Sequence, residues 1–564
     1  MLSQLHHSIE SHGTRSMDVV LMLLGCYMLL GVFWGFETCD SGFYLTFYDN
    51  IFTNPESVSY NFMYYLSGVL GGALQWLFPT MGLVGMRLAG VALCLAVMKI
   101  LYSNLKEIVP TSAIMLGFIL VVVGYAKPVY AINHDLFTLL FYILAIVWLY
   151  RGLTLRKFYY FMLAGLAIGL NCFTRVPNVL SVFIIFIVLI SRHYIFVPWR
   201  RVAWCVTWYF AGLIMAWASV IALMLVAGHF NIFLANIEEL RSIAQDATGE
   251  QTHSLSHLIM VQLSFYAMAL WTAVKLGGCL VLPAIAHGLS KNKLIIALSW
   301  GASFLAMAWF LWRAHSFTVV WVWVLFSGIV VIITQPYELK IWAWLGLFML
   351  LVFPLGSDGA FNNGSIIAFV AAPVASLLWL KRRFVVYFAI FLLACVGHVL
   401  IDGPYFDGGN YAVHHATIHA DRARGVMTTP YRAHVINNLL KGISPWIKSG
   451  DTLMVYGSGS MINYLTHTRP HVGCSWPELL SAEALNYKLS HSKVHPLLLQ
   501  QKFSTIGEFW GTAAPEHLHQ YEQETDFQKN EKLKVLNSYK LKWGYHVVYC
   551  DSHFVLYAPA SQHL

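Results

Sequence analysis

Predominantly apolar blocks of roughly 18 to 22 residues recur from Asp18 to Ile401, the length at which a helix rising about 1.5 Å per residue crosses about 30 Å of hydrocarbon. No soluble core has a use for so many such blocks in a row. The whole chain of 564 residues is 58% hydrophobic, 15% aromatic and only 11% charged. Soluble domains carry about a quarter charged residues, so this is the composition of a membrane protein. The net charge of +8 does not point to nucleic acid, because the basic residues sit between apolar blocks and are not gathered with aromatics on one soluble face.

Taken in order, the blocks predict spans near 18–36, 83–103, 110–125, 132–150, 158–174, 178–196, 203–227, 258–280, 294–312, 316–334, 339–355, 364–380 and 384–401, about thirteen in all. The stretch from His257 to Ser290 reads as one tilted span or as a span plus an interfacial piece, since Lys275, Gly277, Gly278 and Pro283 interrupt it. The first block follows a polar start containing Arg15 and precedes no A-x-A-like cleavage site, the pattern of a retained signal anchor with a cytoplasmic N-terminus.

Short-loop lysines and arginines test that orientation. With the N-terminus inside, the inner loops collect Lys99, Lys106, Arg151, Arg156, Lys157, Arg192, Arg200, Arg201, Lys291, Lys293, Lys340, Lys381, Arg382 and Arg383. The outer loops keep only Lys127, Arg175, Arg241 and Arg313. An odd span count then places everything after Ile401 outside, in the periplasm of a bacterium whose cytoplasmic (inner) membrane holds the spans.

Residues 402–564 regain polar composition, and "KGISPWIKSGDTLMVYGSGSMINYLTHTRP" reads as helix, strand, Gly-Ser turn and helix. "HVVYCDSHFVLYAP" reads as a closing hairpin. The expected architecture is therefore an all-α polytopic membrane domain over 1–401 and a soluble C-terminal α/β extracytoplasmic domain over 402–564. The turn Tyr456-Gly457-Ser458-Gly459-Ser460 lies between strand and helix but lacks the G-x-G-x-x-G spacing, which favours a plain tight turn over a phosphate cradle. Of nine cysteines, six lie inside apolar blocks; Cys474 and Cys550 are a candidate bridge in an oxidising compartment, with free thiols as the simpler reading.

The outer face collects the unusual polar clusters, so function is expected on that side. Lys127, Arg175 and Arg313 sit at outer helix ends, where a cation can hold a phosphate or simply snorkel. His134 and Asp135 open a span. Gly356-Ser357-Asp358-Gly359-Ala360-Phe361-Asn362-Asn363 offers Ser357, Asp358 and Asn362 as groups suited to sugar hydroxyls or phosphate, or else makes a tight interhelical turn. The loop from His229 to His257 could cover a site as a flap, and its His253 and His257 lack the further ligands zinc requires.

Directly after the first span comes Glu37-Thr38-Cys39-Asp40-Ser41-Gly42-Phe43-Tyr44-Leu45. Phe43, Tyr44, Phe47, Tyr48 and Ile51 recur at helical spacing, which predicts an interfacial amphipathic helix with its aromatic face on lipid and Asp40 at its start. There Asp40 serves as an N-cap, as a functional carboxylate, or as both.

An acidic residue just outside the first span, followed by "SGFYL", resembles the hallmark of the GT-C membrane glycosyltransferases. That resemblance implies a many-spanning fold with an extracytoplasmic C-terminal domain, a polyprenyl-phosphate-linked sugar donor, and Asp40 as the base for the acceptor. Ser41 stands where the protein mannosyltransferases of that family have a second acid, so Glu37 is a candidate partner only by proximity. The paired metal-holding acids of oligosaccharyltransferases are absent, which predicts metal-independent chemistry with no cofactor beyond the lipid-linked sugar. Charge placement adds Lys127, Arg175 and Arg313 for the donor phosphate, and Tyr44, His134, Asp135, Ser357, Asp358 and Asn362 for the sugar or an acceptor lipid, glycan or protein. The rival reading is a transporter or flippase of lipid-linked sugars or polysaccharide, which calls for ionisable groups near the bilayer midplane and broken helices in paired positions.

Overall fold

The computed structural model describes residues 2–124, 131–195, 198–244, 254–314, 316–357, 365–380, 382–502, 505–506, 510 and 527–560. In chain order the membrane part runs α1 (Leu2–Phe33), α2 (Asp40–Asn50), a 3-10 segment (Pro55–Tyr64), α3 (Tyr65–Leu77), α4 (Gly82–Leu105), α5 (Thr111–Gly124), α6 (His134–Leu155) and α7 (Tyr159–Thr174). It continues through a 3-10 segment (Val176–Ile185), α8 (Phe186–Ile195), α9 (Trp199–Val226), α10 (Phe230–Ala244), α11 (Leu255–Leu289), α12 (Lys293–Arg313), α13 (Ser316–Thr334) and α14 (Tyr337–Val352). After two short 3-10 pieces around α15 (Ala372–Ala375) it ends with α16 (Arg382–Asp402).

Eight described segments are long and apolar enough to cross a membrane: Arg15–Phe33, Gly82–Leu105, His134–Leu155, Val176–Tyr194, Trp199–Val226, Leu255–Leu289, Lys293–Arg313 and Val385–Asp402. Thr111–Gly124, Tyr159–Thr174 and Thr318–Thr334 are shorter apolar helices. This is a multi-pass membrane protein. The sequence-predicted span at 364–380 is not a continuous helix but 3-10, α and 3-10 pieces in succession. The 257–290 stretch is one 35-residue helix that carries Pro283 inside it.

Small residues set the closest helix pair. A Cβ on Gly165 of α7 would run into the Tyr209 carbonyl of α9, and one on Gly212 of α9 would meet the Met162 carbonyl, so the two backbones touch where small residues recur at four-residue spacing. The loops at one end of the bundle hold the basic residues: Arg201 donates to the Arg156 carbonyl at 2.6 Å, Arg192 stacks on Trp199, and Lys340 lies over Tyr194. From that end α9, α14 and α16 each run to the opposite end, where the C-terminal part sits, and α6 runs back towards the basic end.

The C-terminal part begins with a two-stranded ladder, β1 (Ala416–Thr417) and β2 (Met427–Thr428), followed by α17 (Pro430–Ile443). Then come β3 (Thr452–Tyr456), α18 (Ser460–Thr466), β4 (Arg469–Pro470), α19 (Ala482–Ser490), β5 (Leu497–Gln501), α20 (Phe527–Lys542), β6 (His546–Cys550) and β7 (Phe554–Ala558). The main sheet has the order β4-β3-β5-β7-β6, parallel among β4, β3 and β5 and antiparallel across β5, β7 and β6. Leu497 and Leu499 face α17 residues such as Ile436, while Leu498 faces Leu485 of α19 and Leu536 of α20. Both faces are covered, which is why the first three residues of β5, Leu497 to Leu499, are all apolar. The closing hairpin and the helix–strand–turn–helix order are as the sequence indicates. Cys474 and Cys550 are not joined in a disulfide.

Candidate active site

The loop Trp34–Cys39 and α2 do not lie on lipid. Phe43, Phe47, Tyr48 and Ile51 are all buried, and the surface that receives them is protein. Gly68, Gly71 and Gly72 of α3 leave room for the rings of Phe47 and Tyr48 and for Ile51, because a Cβ on any of them would strike those side chains. On the other side, Gly42 meets the Ser460 and Met461 backbone at the start of α18. The interfacial-helix expectation is therefore corrected: aromatic periodicity identified the covered face, and α3 and the C-terminal part cover it.

The fastening continues through hydrogen bonds that join residues hundreds of positions apart. Met461 N donates to Thr38 O at 2.8 Å, which occupies the start of α18. Gln501 Oε1 accepts from Ser458 N at 2.7 Å and fills the turn from within, so this Gly-Ser turn is a tight turn at a domain contact. Arg432, almost fully buried, donates to Phe36 O at 2.7 Å and also to Phe406 O. Its partner Asp407 accepts from Phe36 N at 2.9 Å. At the far end of α2, Arg422 grips Asp49 with two bonds of 2.6 and 2.8 Å. Such bidentate pairs fix orientation as well as distance.

Within this frame the two acids of the opening loop separate in role. Glu37 is 3% exposed, and its oxygens accept the Cys39 and Ser41 amides at 2.6 Å each, so it closes off the first turn of α2. Arg87, buried near the start of α4, donates to the Val32 and Gly35 carbonyls at 3.0 and 2.9 Å and lies in electrostatic range of Glu37. Asp40 instead receives the Tyr405 hydroxyl at 2.6 Å. Glu37, Ser41, Arg87 and Tyr405 line one small cleft.

Asp40 lies within electrostatic range of Asp135 at the start of α6. His134 packs against Tyr44 and Tyr64, with ring centroids 5.1 and 4.5 Å away, and the two tyrosine rings meet each other at 5.8 Å. Its Nε2 lies 3.1 Å from Asp135 Oδ1, an electrostatic contact without hydrogen-bond geometry. Asn133, not Asp135, caps α6 by accepting from Leu136 N at 3.2 Å. Both Asp40 and Arg175 are within electrostatic range of Asp135. Tyr44 feels the same two carboxylates: burial first, then Tyr64, Asp135 and Asp40, push its phenol well above the usual value.

Arg175 stands where α7 ends. A buried network of Asn171, Thr174, Asn178 and Thr138 holds that end, with Asn178 Nδ2 2.8 Å from Thr138 Oγ1. Arg175 donates to Phe353 O at 3.0 Å and lies over the Phe353 ring. Gly356, at φ +80°, packs against Pro177, which brings buried Ser357 to the same corner.

The structure thus links Asp40, Tyr44, His134, Asp135 and Arg175 by contact or electrostatic range, and Ser357 follows the Gly356 turn that packs on Pro177. Arg313 is elsewhere: it is exposed, stacked on Trp309, on a helix packed chiefly against α11 and α16. Lys127, Asp358 and Asn362 lie outside the described residues. The His229–His257 region begins as a docked helix: Asn236 donates to Tyr60 O at 3.0 Å and Glu239 pairs with Lys488 at 3.4 Å, while 245–253 lie outside the described residues. Among the described residues no three His, Cys, Asp or Glu side chains converge as metal ligands. Sequence reasoning missed Tyr64, Arg87 and Tyr405. Arg87 carried a signal, a charge inside an apolar block. Tyr405 carried none.

No known protein family and no curated protein matches the chain. Among solved structures it is similar to ArnT from Cupriavidus metallidurans bound to undecaprenyl phosphate, at 12% identity and TM-score 0.41 over 97% of this chain and 98% of that one. It is also similar to the archaeal oligosaccharyltransferase AglB from Archaeoglobus fulgidus in complex with an inhibitory peptide and a dolichol-phosphate, at 12% identity and TM-score 0.43 over 97% of this chain and 74% of that one. Likeness at this level says nothing of individual residues.

Proposed function

We propose that this protein is a membrane glycosyltransferase of the GT-C kind, moving a hexosyl or pentosyl group from a polyprenyl-phosphate donor to an acceptor lipid, glycan or protein at the outer face of a bacterial inner membrane. The observation that carries the proposal is the division between the two acids. Glu37 takes the helix-start amides, so the Asp40 carboxylate is not needed as a cap, and it lies within electrostatic range of Asp135, which is also in range of Arg175. A sugar transfer needs this arrangement. Asp40 accepts the proton of the acceptor hydroxyl or amine, the acceptor bonds to the anomeric carbon, and the bond from that carbon to the phosphate oxygen breaks. Arg175 offsets the charge that grows on the leaving polyprenyl phosphate, with Lys127 as the second candidate cation. The aromatic walls Tyr44 and Tyr64 suit a sugar ring. No cofactor beyond the lipid-linked sugar is required by this scheme.

The orientation follows from the basic loops, which lie at the end of the bundle away from the C-terminal part, so the positive-inside rule supports a periplasmic site over residues 402–564. The test is purified protein in liposomes with polyprenyl-phosphate sugars and candidate acceptors. Transfer without a second protein, lost in Asp40→Asn at normal expression, is the expected result. Full transfer by Asp40→Asn would overturn the assignment of Asp40 as base, and movement of intact donor across the bilayer without transfer would favour the transporter reading.

A further inference from the structure

Tyr405 comes from the turn after α16, yet its hydroxyl donates to Asp40 Oδ2 at 2.6 Å across 365 positions of sequence. Neither partner is held loosely. Pro404 packs onto Gly35 so closely that no Cβ fits there, and Gly403 at φ +72° makes the bend that presents Tyr405. Two residues on, Asp407 holds Phe36 N at 2.9 Å, and Arg432 ties Phe36 O and Phe406 O together. The loop that delivers Asp40 and the turn that delivers Tyr405 are thus bolted to each other on both sides of the contact. A bond this over-determined has a task beyond packing.

We infer that Tyr405 is a positioning residue for Asp40, fixing the orientation of its carboxylate and holding it in the ionised form. The inference rests on Asp40 being the base. Among the described residues, Cys39, Tyr44 on α2, Asp135 on α6 and Tyr405 are within electrostatic range of Asp40, and Glu37 lies three residues before it. Glu37 and Asp135 are carboxylates, and like charge works against a second ionised acid. A phenol donating to the carboxylate works the other way. Burial, then the Asp40 charge and the hydrogen bond to it, push the Tyr405 phenol far above its usual value, so the proton stays on Tyr405 and the phenol acts as donor only.

Tyr405→Phe removes the hydroxyl and keeps the ring. Two readouts are taken on the full-length protein in lipid. Infrared difference titration follows the carboxyl stretch that disappears in Asp40→Asn, and it needs no turnover. The pH profile of kcat/KM follows transfer. Tyr405→Phe is expected to move both the titration and the acid limb upward by about one pH unit. The rate falls most at low pH and approaches wild type as pH rises. An unmoved titration overturns the inference, as does a uniform rate loss with an unmoved acid limb, which would mark a packing role. A titration that moves while Asp40→Asn transfers at the full rate leaves the contact standing and overturns the assignment of Asp40 as base.

Discussion

Glu37→Gln separates the acid that builds the site from the acid that works in it. Both Glu37 oxygens accept backbone amides at 2.6 Å, from Cys39 and from Ser41, and the residue is 3% exposed. Glutamine has nearly the same shape but one acceptor oxygen, so one amide keeps a neutral partner and the other faces an NH2 group. Hydrogen bonds to a charged group contribute about 1.5 to 3 kcal/mol each, and a buried donor left unpaired costs about 1 to 3 kcal/mol. Weakening one bond and losing the other therefore costs about 2 to 4 kcal/mol. Arg87 adds to the effect, since its buried guanidinium loses the nearby negative charge. The assay is thermal unfolding of detergent-solubilised protein at one fixed scan rate, because such unfolding is governed by rate as much as by equilibrium. Glu37→Gln should unfold several degrees below wild type. Asp40→Asn should unfold close to it, since an asparagine oxygen still accepts the Tyr405 hydroxyl. Transfer should show the reverse order, with Asp40→Asn far the more damaging at temperatures where both variants are folded. A Glu37→Gln protein as stable as wild type, and as inactive as Asp40→Asn, would refute the division of roles.

Gly42→Ala should destabilise by about 1 to 3 kcal/mol and reduce transfer, because the new methyl meets the Ser460 and Met461 backbone and must prise α2 from α18; unfolding temperature and activity measured together check it, and an unchanged protein would mean the two elements are not in contact. His471 in the C-terminal part is lowered to about 4 by burial and then by His495. An unfolded histidine titrates near about 6.5, so the neutral-His471 contribution is complete above that pH and is lost as pH falls towards 4. Replacing His471 with leucine should therefore flatten the stability–pH curve between those values, and a variant with the wild-type slope would exclude His471 as its source.

The bundle was legible because crossing hydrocarbon imposes a length and the loops carry a charge bias, both of which are local properties of sequence. The closing hairpin was legible for a similar reason, since its turn and both strands are contiguous. Helix α2 was half legible. Spacing told which of its side chains are covered, but lipid and protein are equally apolar covers, and only the glycine face of α3 distinguishes them. Gly68, Gly71 and Gly72 are that signal in sequence, and they gain meaning only once α2 is seen to need a partner. Asp135 opens a span, where sequence alone does not separate a helix-start charge from a functional group; Asn133 does the capping, which leaves Asp135 to the cluster.

The part that stayed hidden is the part made by long-range contacts. Tyr405, Arg432 and Asp407 reach Phe36 and Asp40 from more than 360 positions away, and no periodicity links residues at that distance. This has a mechanistic consequence. An acid at the end of a first span is held only by a loop, and a loop alone does not keep a base within reach of an acceptor. Here α18 takes Thr38 and Gly42, Asp407 and Arg432 take Phe36, and Arg422 takes Asp49, so every turn of the segment from Phe36 to Asp49 has a C-terminal partner. The α/β part is therefore a structural component of the segment that carries Asp40. A protein cut after Asp402 would keep the spans and lose the geometry at Asp40.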